Sequence, residues 1–297
     1  MSETVHVLLP VHNRSELTRR FLRCLRSQTY PRIRVLVIDD GSRDATAAVI
    51  EAEYPAAHVL HGDGRWWWAG CLQEGFDWLR SRQIPDSDLV LIANDDTTFD
   101  ADYIERAVAF LRGRSRCLLC SQLRDPLTGV VRQSGVEADL RRFAFRVAED
   151  PSRINCLPTR GLFLRWGDMR RIGGFHRHLL PHYWSDYEYT LRAHRLGFAC
   201  LTDSSVAVTA NADSTGERDL DRLVGWTFVR SLFSIRTPLN PVYRTSFVLF
   251  ACPGAWKFIN VFNVWGRALA RIAWQGVVRR PFPRERGMNA AAPSPHE

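Results

Sequence analysis

Short apolar runs alternate with amphipathic stretches over the first 112 residues. VHVLLPV (5–11), RVLVIDD (34–40), AHVLH (57–61) and DLVLIANDD (88–96) predict four buried strands. The stretches between and after them predict helices over 15–28, 42–54, 71–82 and 100–112, the first two capped by Ser15 and Ser42. This alternation predicts an α/β fold with a mostly parallel, Rossmann-like sheet flanked by helices. Ligands of such sheets bind at the carboxyl ends of the strands.

The pattern changes after about residue 115. Shorter strand-like pieces, a helix over 185–196 and the strand FACLTDSSVAVTA (198–210) predict a mixed α+β half that holds a second ligand. From about residue 217 the pattern is helical, with a break at Pro238 and Pro241. We expect a domain over 1–215 with halves 1–115 and 116–215, a helical extension over 216–282, and a disordered tail over 283–297.

Composition and charge narrow the class of partner. The chain of 297 residues carries 40 Lys and Arg against 32 Asp and Glu, a net charge of +8. Much of the excess is arginine, whose planar fork binds phosphate oxygens in pairs. The basic residues are dispersed and no recognition motif is present, which argues against nucleic-acid binding.

The cysteines and the apolar runs predict the compartment. Seven scattered cysteines, an odd number, are not a disulfide framework, and the Cys117–Cys120 pair lies in an apolar run that predicts a buried strand. There is no signal-peptide pattern and no apolar run of the roughly 18–20 residues that a membrane span needs. We expect a cytoplasmic protein, free or bound peripherally at the inner face of the cytoplasmic membrane.

Two pairs of carboxylates stand at predicted strand ends. Asn94-Asp95-Asp96 follows one strand, and a cation such as Mg²⁺ or Mn²⁺ would offset the repulsion between its two adjacent negative charges. The alternative interpretation is that one aspartate caps the next turn and the other is solvated. Asp39-Asp40-Gly41-Ser42 follows another strand, where a carboxylate accepts hydrogen bonds from a base or a ribose and Gly41 permits a sharp turn.

A third acidic stretch, YWSDYEY (183–189), opens a predicted helix. Ser185 and Glu188 have the spacing of a capping box. Asp186 lies in the first turn, where the helix dipole is expected to lower its pKa and keep it ionised as a proton acceptor for a sugar hydroxyl. The aromatic neighbours, Trp184 among them, suit stacking on a sugar, or core packing.

Five segments in one order resemble an inverting family 2 glycosyltransferase of the GT-A fold. They are LLPVHNR (8–14), VLVIDDGSRDAT (35–46), GDGRWWWAGCLQEG (62–75), LVLIANDD (89–96) and YWSDYEYTLRAHRLG (183–197). The Trp-Trp-Ala-Gly variant resembles bacterial rhamnosyltransferase-like members. The resemblance implies transfer of a sugar, of hexosyl type, from a nucleoside diphosphate sugar to a hydroxyl of a glycan or lipid-linked glycan in cell-surface polysaccharide synthesis.

The resemblance also implies roles for single residues. Asp186 stands where the family has its catalytic base, and Asp96 where it has a metal ligand. Asp95 would bind ribose or support the metal. Trp184, Glu188 and Arg192 would belong to the donor or acceptor pocket, with Arg192 facing the acidic cluster or the diphosphate. Nucleotide contacts are implied for Pro10, His12, Arg14 and either Asp39 or Asp40.

One departure concerns the metal. Family members often carry a metal-binding histidine after the catalytic helix, where this chain reads VAVTANADSTG (206–216). Asn211 or Asp213 are the candidate substitutes. The implied cofactor is therefore a divalent cation, Mg²⁺ or Mn²⁺, held with or without one of these two residues.

The stretch GDGRWWWAG (62–70) lies between a strand and a helix at the expected donor site. We predict that Trp67 or Trp68 forms a wall of the sugar pocket while another ring is a buried anchor. Arg65 is a candidate contact for the diphosphate or the acceptor, and Gly70 gives the backbone room to turn.

The segment 243–280 mixes Phe, Trp and Ile with arginines on a helical pattern. It predicts either an interfacial membrane helix or a helix packed on the core or on a partner subunit, as in a homodimer.

Two other classes of function remain open. A sugar-nucleotide nucleotidyltransferase has a similar sheet, but its Gly-rich basic loop after the first strand is replaced here by PVHNRSEL (10–17). A non-catalytic glycan-binding protein on a transferase scaffold is the second, against which the complete set of carboxylates argues.

Overall fold

The computed structural model describes residues 3–210, 220 and 223–277. Its main sheet has eight strands, seven of them in the order β10-β5-β9-β4-β1-β2-β3, and β6 pairs with β5. The strands are β1 (Val5–Val11), β2 (Ile33–Asp39), β3 (His58–His61), β4 (Leu89–Ile92), β5 (Cys117–Arg124), β6 (Val131–Gln133), β9 (Leu162–Arg165) and β10 (Ala199–Thr209).

Most pairings in this sheet are parallel. Strands β4, β1, β2 and β3 run in one direction, and β9 enters antiparallel between β4 and β5. A separate antiparallel hairpin joins β7 (Val136–Asp139) to β8 (Ala144–Val147). The sheet therefore confirms the predicted α/β class, with the antiparallel β9 marking the change of rhythm after residue 115.

Helices cover both faces of the sheet, because successive residues of a strand point to opposite faces and both faces are apolar. Leu8 packs into the apolar cluster beside α3, whereas Val7 and Leu9 pack into the one beside α1 and α4. The helices are α1 (Ser15–Arg26), α2 (Thr46–Glu53), α3 (Trp67–Arg80), α4 (Tyr103–Leu111), α5 (Trp166–Ile172) and α6 (Ser185–Arg195), with a 3-10 turn at Pro151–Arg153.

Three helices follow the sheet: α7 (Gly225–Leu232), α8 (Pro241–Ala251) and α9 (Trp256–Val277). Over the described ranges, no helix is long and apolar enough to cross a membrane. The tail predicted over 283–297 lies outside the described residues, as does part of the link between β10 and α7.

Two predicted helix starts are wrong. Helix α2 begins at Thr46, because Ser42 is used elsewhere: its hydroxyl accepts the Asn13 N–H and its own N–H donates to Asp39. Helix α3 begins at Trp67, four residues before the apolar periodicity indicates. Ser15 lies inside α1 and makes no side-chain cap; Arg14 precedes the helix.

Candidate active site

The carboxyl ends of β1, β2 and β4 open into one cavity of about 550 Å³. Segments before β9, at the start of α6 and between α7 and α8 close its other sides. The lining residues are Pro10, Val11, His12, Arg14, Asp40, Gly64, Trp67, Trp68, Cys71, Asn94, Asp95, Asp96, Pro158, Thr159, Arg160, His182, Tyr183, Asp186 and Arg236.

Two arginines compensate the carboxylates after β4. Arg14 donates to Asp95 at 3.1 Å, and Thr18 donates to the other oxygen of the same carboxylate at 3.3 Å. The guanidinium of Arg160 lies 3.6 Å from the Asp96 carboxylate, and that of Arg14 lies 3.9 Å from the same carboxylate. Burial nevertheless raises the pKa of Asp95 to about 6, with Arg14 opposing the rise. The site therefore combines acidic and cationic groups suited to a diphosphate and its counter-ion.

Asp186 lies at the first turn of α6 and lines the same cavity. Burial raises its pKa to about 6, while the N–H of Tyr187, which donates to Oδ1 at 2.9 Å, and the charge of Arg160 oppose the rise. The expected lowering by the helix dipole is thus wrong in sign, because desolvation outweighs it. A carboxylate with this pKa is ionised at pH 7 and accepts a proton more readily than a solvated aspartate.

An aromatic and cationic wall faces these carboxylates. The ring of Trp67 lies 5.7 Å from that of His182 and 5.7 Å from the guanidinium of Arg236. Burial lowers the pKa of His182 to about 4, so its imidazole is neutral at pH 7. Its Nδ1 is buried and has no hydrogen-bond partner in the protein. This wall offers ring faces and one unused polar atom to a sugar.

Asp40 holds the tryptophan loop, residues 62–67 between β3 and the start of α3, in place. Its Oδ1 accepts the N–H groups of Gly64 at 2.9 Å and Trp66 at 3.2 Å, and its Oδ2 accepts that of Trp67 at 2.9 Å. Trp67 has φ +55, which a non-glycine residue adopts only when its surroundings enforce it. Gly41 has φ +70 and lies so close to the loop that a Cβ would come within 2.8 Å of the Gly64 nitrogen.

Asp40→Asn is expected to destabilise the protein by about 2–3 kcal/mol, because one amide oxygen cannot replace both carboxylate oxygens and a buried N–H loses its acceptor. Urea unfolding of the wild type and the variant measures this. Asp63→Asn is the matched control: Asp63 is exposed, pairs with Arg65 on the surface, and should change stability by less than about 0.5 kcal/mol. Equal stabilities for Asp40→Asn and the wild type would refute the anchoring role.

Five residues predicted in the pocket lie elsewhere. Glu188 and Arg192 pair with each other at 3.0 Å, and Arg192 also donates to the carbonyls of Ile172 and Gly174, so both fix α6 to the end of α5. Trp184 packs among aromatic rings beside β8 and α8 and donates to the Pro238 carbonyl at 2.8 Å. The remaining two, Arg65 and Gly70, are outside the lining as well.

Arg65, Gly70 and Asp39 lie outside the cavity lining for different reasons. The Arg65 side chain is 83% exposed and bound to Asp63. A Cβ at Gly70 would come within 3.0 Å of the Trp66 side chain, so this glycine serves close packing inside α3. Asp39, predicted as an alternative to Asp40, is buried and accepts the Ser42 N–H, which leaves Asp40 as the member of the pair that borders the cavity.

The other predicted residues come together in the cavity. They are Pro10, His12, Arg14, Asp40, Asp95, Asp96, Trp67, Trp68 and Asp186. Trp66 and Trp68 both pack against the core, and of the three rings Trp67 and Trp68 line the cavity. The sequence analysis did not identify Arg160 or Arg236. The sequence signal for Arg160 is the Arg-Gly pair before an apolar strand, and that for Arg236 is its place in a helix linker without neighbouring acidic residues.

A divalent cation fits this site only together with a substrate. The described residues contain no group of three or more His, Cys, Asp or Glu that could hold a metal alone, and Asn211 and Asp213 lie outside them. The Asn94 Oδ1, however, is a buried carbonyl oxygen without a protein partner, two residues before Asp96 in the sequence, and both residues line the cavity. Mg²⁺ is commonly held by one or two protein oxygens plus phosphates and water, which this donor set matches.

Comparisons with known proteins bear on the family and the fold of the chain. Residues 6–164 match the family model described as glycosyl transferase family 2. The chain is 27% identical over 205 residues to glycosyltransferase AglE of Haloferax volcanii, an alignment that covers 66% of this chain and 62% of that protein. The chain thus spans less than two thirds of that relative.

Solved structures share the fold at low identity. Mannosyltransferase PcManGT from Pyrobaculum calidifontis, in complex with GDP-Man and Mn²⁺, matches with a TM-score of 0.53 and 17% identity over 91% of this chain and 76% of its own. Staphylococcus aureus TarS 1–349 with UDP-GlcNAc matches with a TM-score of 0.55 and 15% identity over 90% and 73%. These solved structures are glycosyltransferases of the GT-A fold. The family model matches more than half of the length of this chain, which shows that the chain belongs to glycosyl transferase family 2.

Proposed function

We propose that this protein transfers a sugar from a nucleoside diphosphate sugar to an acceptor hydroxyl with inversion at the anomeric carbon. The observation that carries the proposal is the single cavity that brings Asp186 to the Asp95–Asp96 pair and to the cations Arg14 and Arg160. A base, a diphosphate site and an aromatic wall are the groups that such a transfer needs. Structural relatives whose complexes contain GDP-Man, UDP-GlcNAc or UDP support a nucleotide-sugar donor.

In this mechanism the acceptor oxygen attacks the anomeric carbon on the face opposite the diphosphate. Asp186 takes the proton of the attacking hydroxyl as the new carbon–oxygen bond forms. The bond to the diphosphate breaks, and the diphosphate leaves with the electron pair. Arg14 and Arg160 stabilise the negative charge that develops on it. Trp67 and Trp68 exclude water and orient the sugar.

A divalent cation would be held by Asp96 and the Asn94 carbonyl oxygen, and when bound it neutralises charge on the diphosphate. Relatives solved with Mn²⁺ support this cofactor. We also propose the acceptor to be a glycan or lipid-linked glycan and keep the divisions 1–215 and 216–282 as domain boundaries. A role in surface polysaccharide synthesis, as in rhamnosyltransferase-like members, rests on the sequence resemblance alone.

Release of nucleoside diphosphate from a panel of UDP-, GDP- and dTDP-sugars tests the proposal. One donor is expected to raise the melting temperature and to give diphosphate at a rate that rises with acceptor. Stabilisation by every donor without any turnover would favour a non-catalytic glycan-binding protein. Turnover of a sugar phosphate with a nucleoside triphosphate would favour the nucleotidyltransferase.

Metal removal gives a separate result. EDTA is expected to lower the transfer rate at least about ten-fold, and Mn²⁺ or Mg²⁺ in excess to restore it, because the arginines neutralise only part of the diphosphate charge. Asp96→Asn should raise the metal concentration needed for half-maximal rate. A rate unchanged by EDTA, in wild type and variant alike, would show that the arginines suffice.

A further inference from the structure

The imidazole of His182 is a polar group of the cavity that the fold does not use. His182 lies four residues before Asp186 and lines the same cavity. Its ring makes no hydrogen bond to any described residue, and its Nδ1 is buried without a partner. An unpaired buried polar atom costs stability, and in native proteins such atoms need an explanation other than packing. This cost indicates that the imidazole serves a ligand rather than the fold.

Three contacts hold the His182 ring in place before any ligand binds. The His182 carbonyl accepts the Ser185 hydroxyl at 2.7 Å, at the start of α6. The Pro181 carbonyl accepts the N–H of Ala69 at 2.9 Å, an N–H that the first turn of α3 leaves without a partner in its own helix. The imidazole also packs edge-on against Tyr183, with the ring centroids 4.6 Å apart. The ring is therefore preorganised between the starts of α3 and α6.

The burial of the ring decides which of its nitrogens carries the proton. The imidazole is neutral at pH 7, because burial and the charges of Arg14 and Arg236 lower its pKa. A neutral imidazole has a single N–H, and an unpaired N–H is rarer inside proteins than an unpaired acceptor. Since Nδ1 is the enclosed nitrogen, the proton lies on Nε2. The ring thus presents one uncharged N–H donor to the cavity.

An uncharged donor suits a sugar hydroxyl better than a phosphate. Phosphate oxygens make their strong hydrogen bonds to charged donors, and Arg14 and Arg160 already supply those beside Asp96. The Trp67 ring lies 5.7 Å from the imidazole, so a flat face and a polar edge stand side by side. A few placed polar groups among aromatic walls are how pockets fix the orientation of a small ligand.

The position of Arg14 favours the donor sugar over the acceptor. The charge of Arg14 acts on His182, and the same guanidinium lies 3.1 Å from Asp95 at the end of β4. That end of the cavity is the proposed diphosphate site. The donor sugar is bonded directly to the diphosphate, whereas the acceptor is not. The sugar next to both Arg14 and His182 is therefore the donor sugar.

We propose that His182 is a specificity-determining residue that donates a hydrogen bond from Nε2 to a hydroxyl oxygen of the donor sugar, while Trp67 covers a face of the same sugar. The inference rests on the proposed function and adds a contact that the transfer itself does not require. A donor sugar that lacks this hydroxyl would leave the N–H unpaired in the closed site, so the site discriminates against it.

Calorimetric titration tests this contact with two probes, the sugar nucleotide that turns over in the panel and its nucleoside diphosphate alone. His182→Phe keeps a flat ring and removes both nitrogens. It should weaken binding of the sugar nucleotide about ten-fold and leave binding of the nucleoside diphosphate unchanged. The donor KM should rise by a similar factor with little change in kcat. The variant should melt at or above the wild-type temperature, because it removes an unpaired buried nitrogen.

Two amide variants identify the nitrogen, and a second histidine supplies the control. His182→Gln places an amide N–H near the position of Nε2 and should bind the donor within about three-fold of the wild type. His182→Asn places its amide near Nδ1 and should bind the donor as weakly as His182→Phe. His178→Phe replaces an exposed histidine of the same segment that lies outside the cavity lining, and it should match the wild type.

The outcomes separate this inference from the proposed function. An equal loss of affinity for the nucleoside diphosphate alone would assign His182 to the diphosphate, and a rise confined to the acceptor KM would assign it to the acceptor. Either result, or equal donor affinity in the wild type and His182→Phe, overturns the inference and leaves sugar transfer intact. If the wild type binds no sugar nucleotide of the panel, the proposed function fails and the inference fails with it.

Discussion

Asp186→Asn is expected to fold and bind donor normally while it loses sugar transfer by about 100-fold or more, because the acceptor hydroxyl no longer has a base. The asparagine oxygen can still accept the Tyr187 N–H that orients the side chain. Steady-state rates with donor and acceptor measure the loss. An unchanged donor affinity, by thermal shift, would separate the loss of the base from a misfolded pocket. A turnover close to that of the wild type would remove Asp186 as the base.

The raised pKa of Asp186 fixes the direction of two pH effects. Activity needs the ionised form, so the wild-type rate should fall as the pH drops through about 6. Stability has the opposite dependence: a carboxyl whose pKa is higher in the folded than in the unfolded protein loses stability as the pH rises between those two values. Asp186→Asn should therefore melt at or above the wild-type temperature at pH 7.5, and the difference should vanish near pH 4. Asp95 has a similar pKa, so the variant rather than the pH profile alone assigns the base.

Arg160→Met is expected to have the second largest effect, a loss of about 100-fold in kcat/KM. Arg160 lies 3.6 Å from Asp96 and its charge acts on Asp186, so its removal takes away a cation from the diphosphate and from the base together. Without this positive charge the pKa of Asp186 should rise further. The acid limb of the pH–rate profile should then move to higher pH, a shift that a purely structural role would not produce.

Arg65→Met is the matched control. This arginine belongs to the tryptophan loop but is exposed and paired with Asp63 outside the cavity. Its replacement should leave both the rate and the acid limb unchanged. A large loss for Arg65→Met would restore the sequence-based assignment of this residue to the substrate. A full rate for Arg160→Met would instead place the diphosphate with Arg14 and the metal.

The fold and half of the cavity follow from sequence periodicity. Residues at the ends of β2 and β4 meet because parallel strands end at the same edge, so Asp40, Asp95 and Asp96 could be placed together without coordinates, whereas Arg14 was placed by the family resemblance. Asp186 was placed by its resemblance to a family motif. In each case the position in the chain, rather than the side-chain environment, carried the prediction.

The other features of the cavity depend on tertiary contacts, which the periodicity of the sequence does not encode. Arg192 is held away from the cavity by hydrogen bonds to the carbonyls of Ile172 and Gly174 at the end of α5, which are tertiary contacts, in addition to its local pair with Glu188 on α6. The sign of the Asp186 pKa shift depends on desolvation by distant segments. Arg236 is about 170 residues from Trp67 in sequence, and only the packing of the C-terminal helices brings its guanidinium over that ring.

The position of Arg236 has a consequence for synthesis of the protein. The segment that matches the family, 6–164, is synthesised before His182, Asp186 and Arg236 are added. Its strands can pair while the chain is still growing, since domains fold as they emerge. The nascent chain then carries the strand ends of the cavity with Trp67 and Trp68, but it lacks Asp186, His182 and Arg236. Under the proposed function, sugar transfer can begin only after the segment that carries Arg236 has been synthesised and has docked on the tryptophan ring.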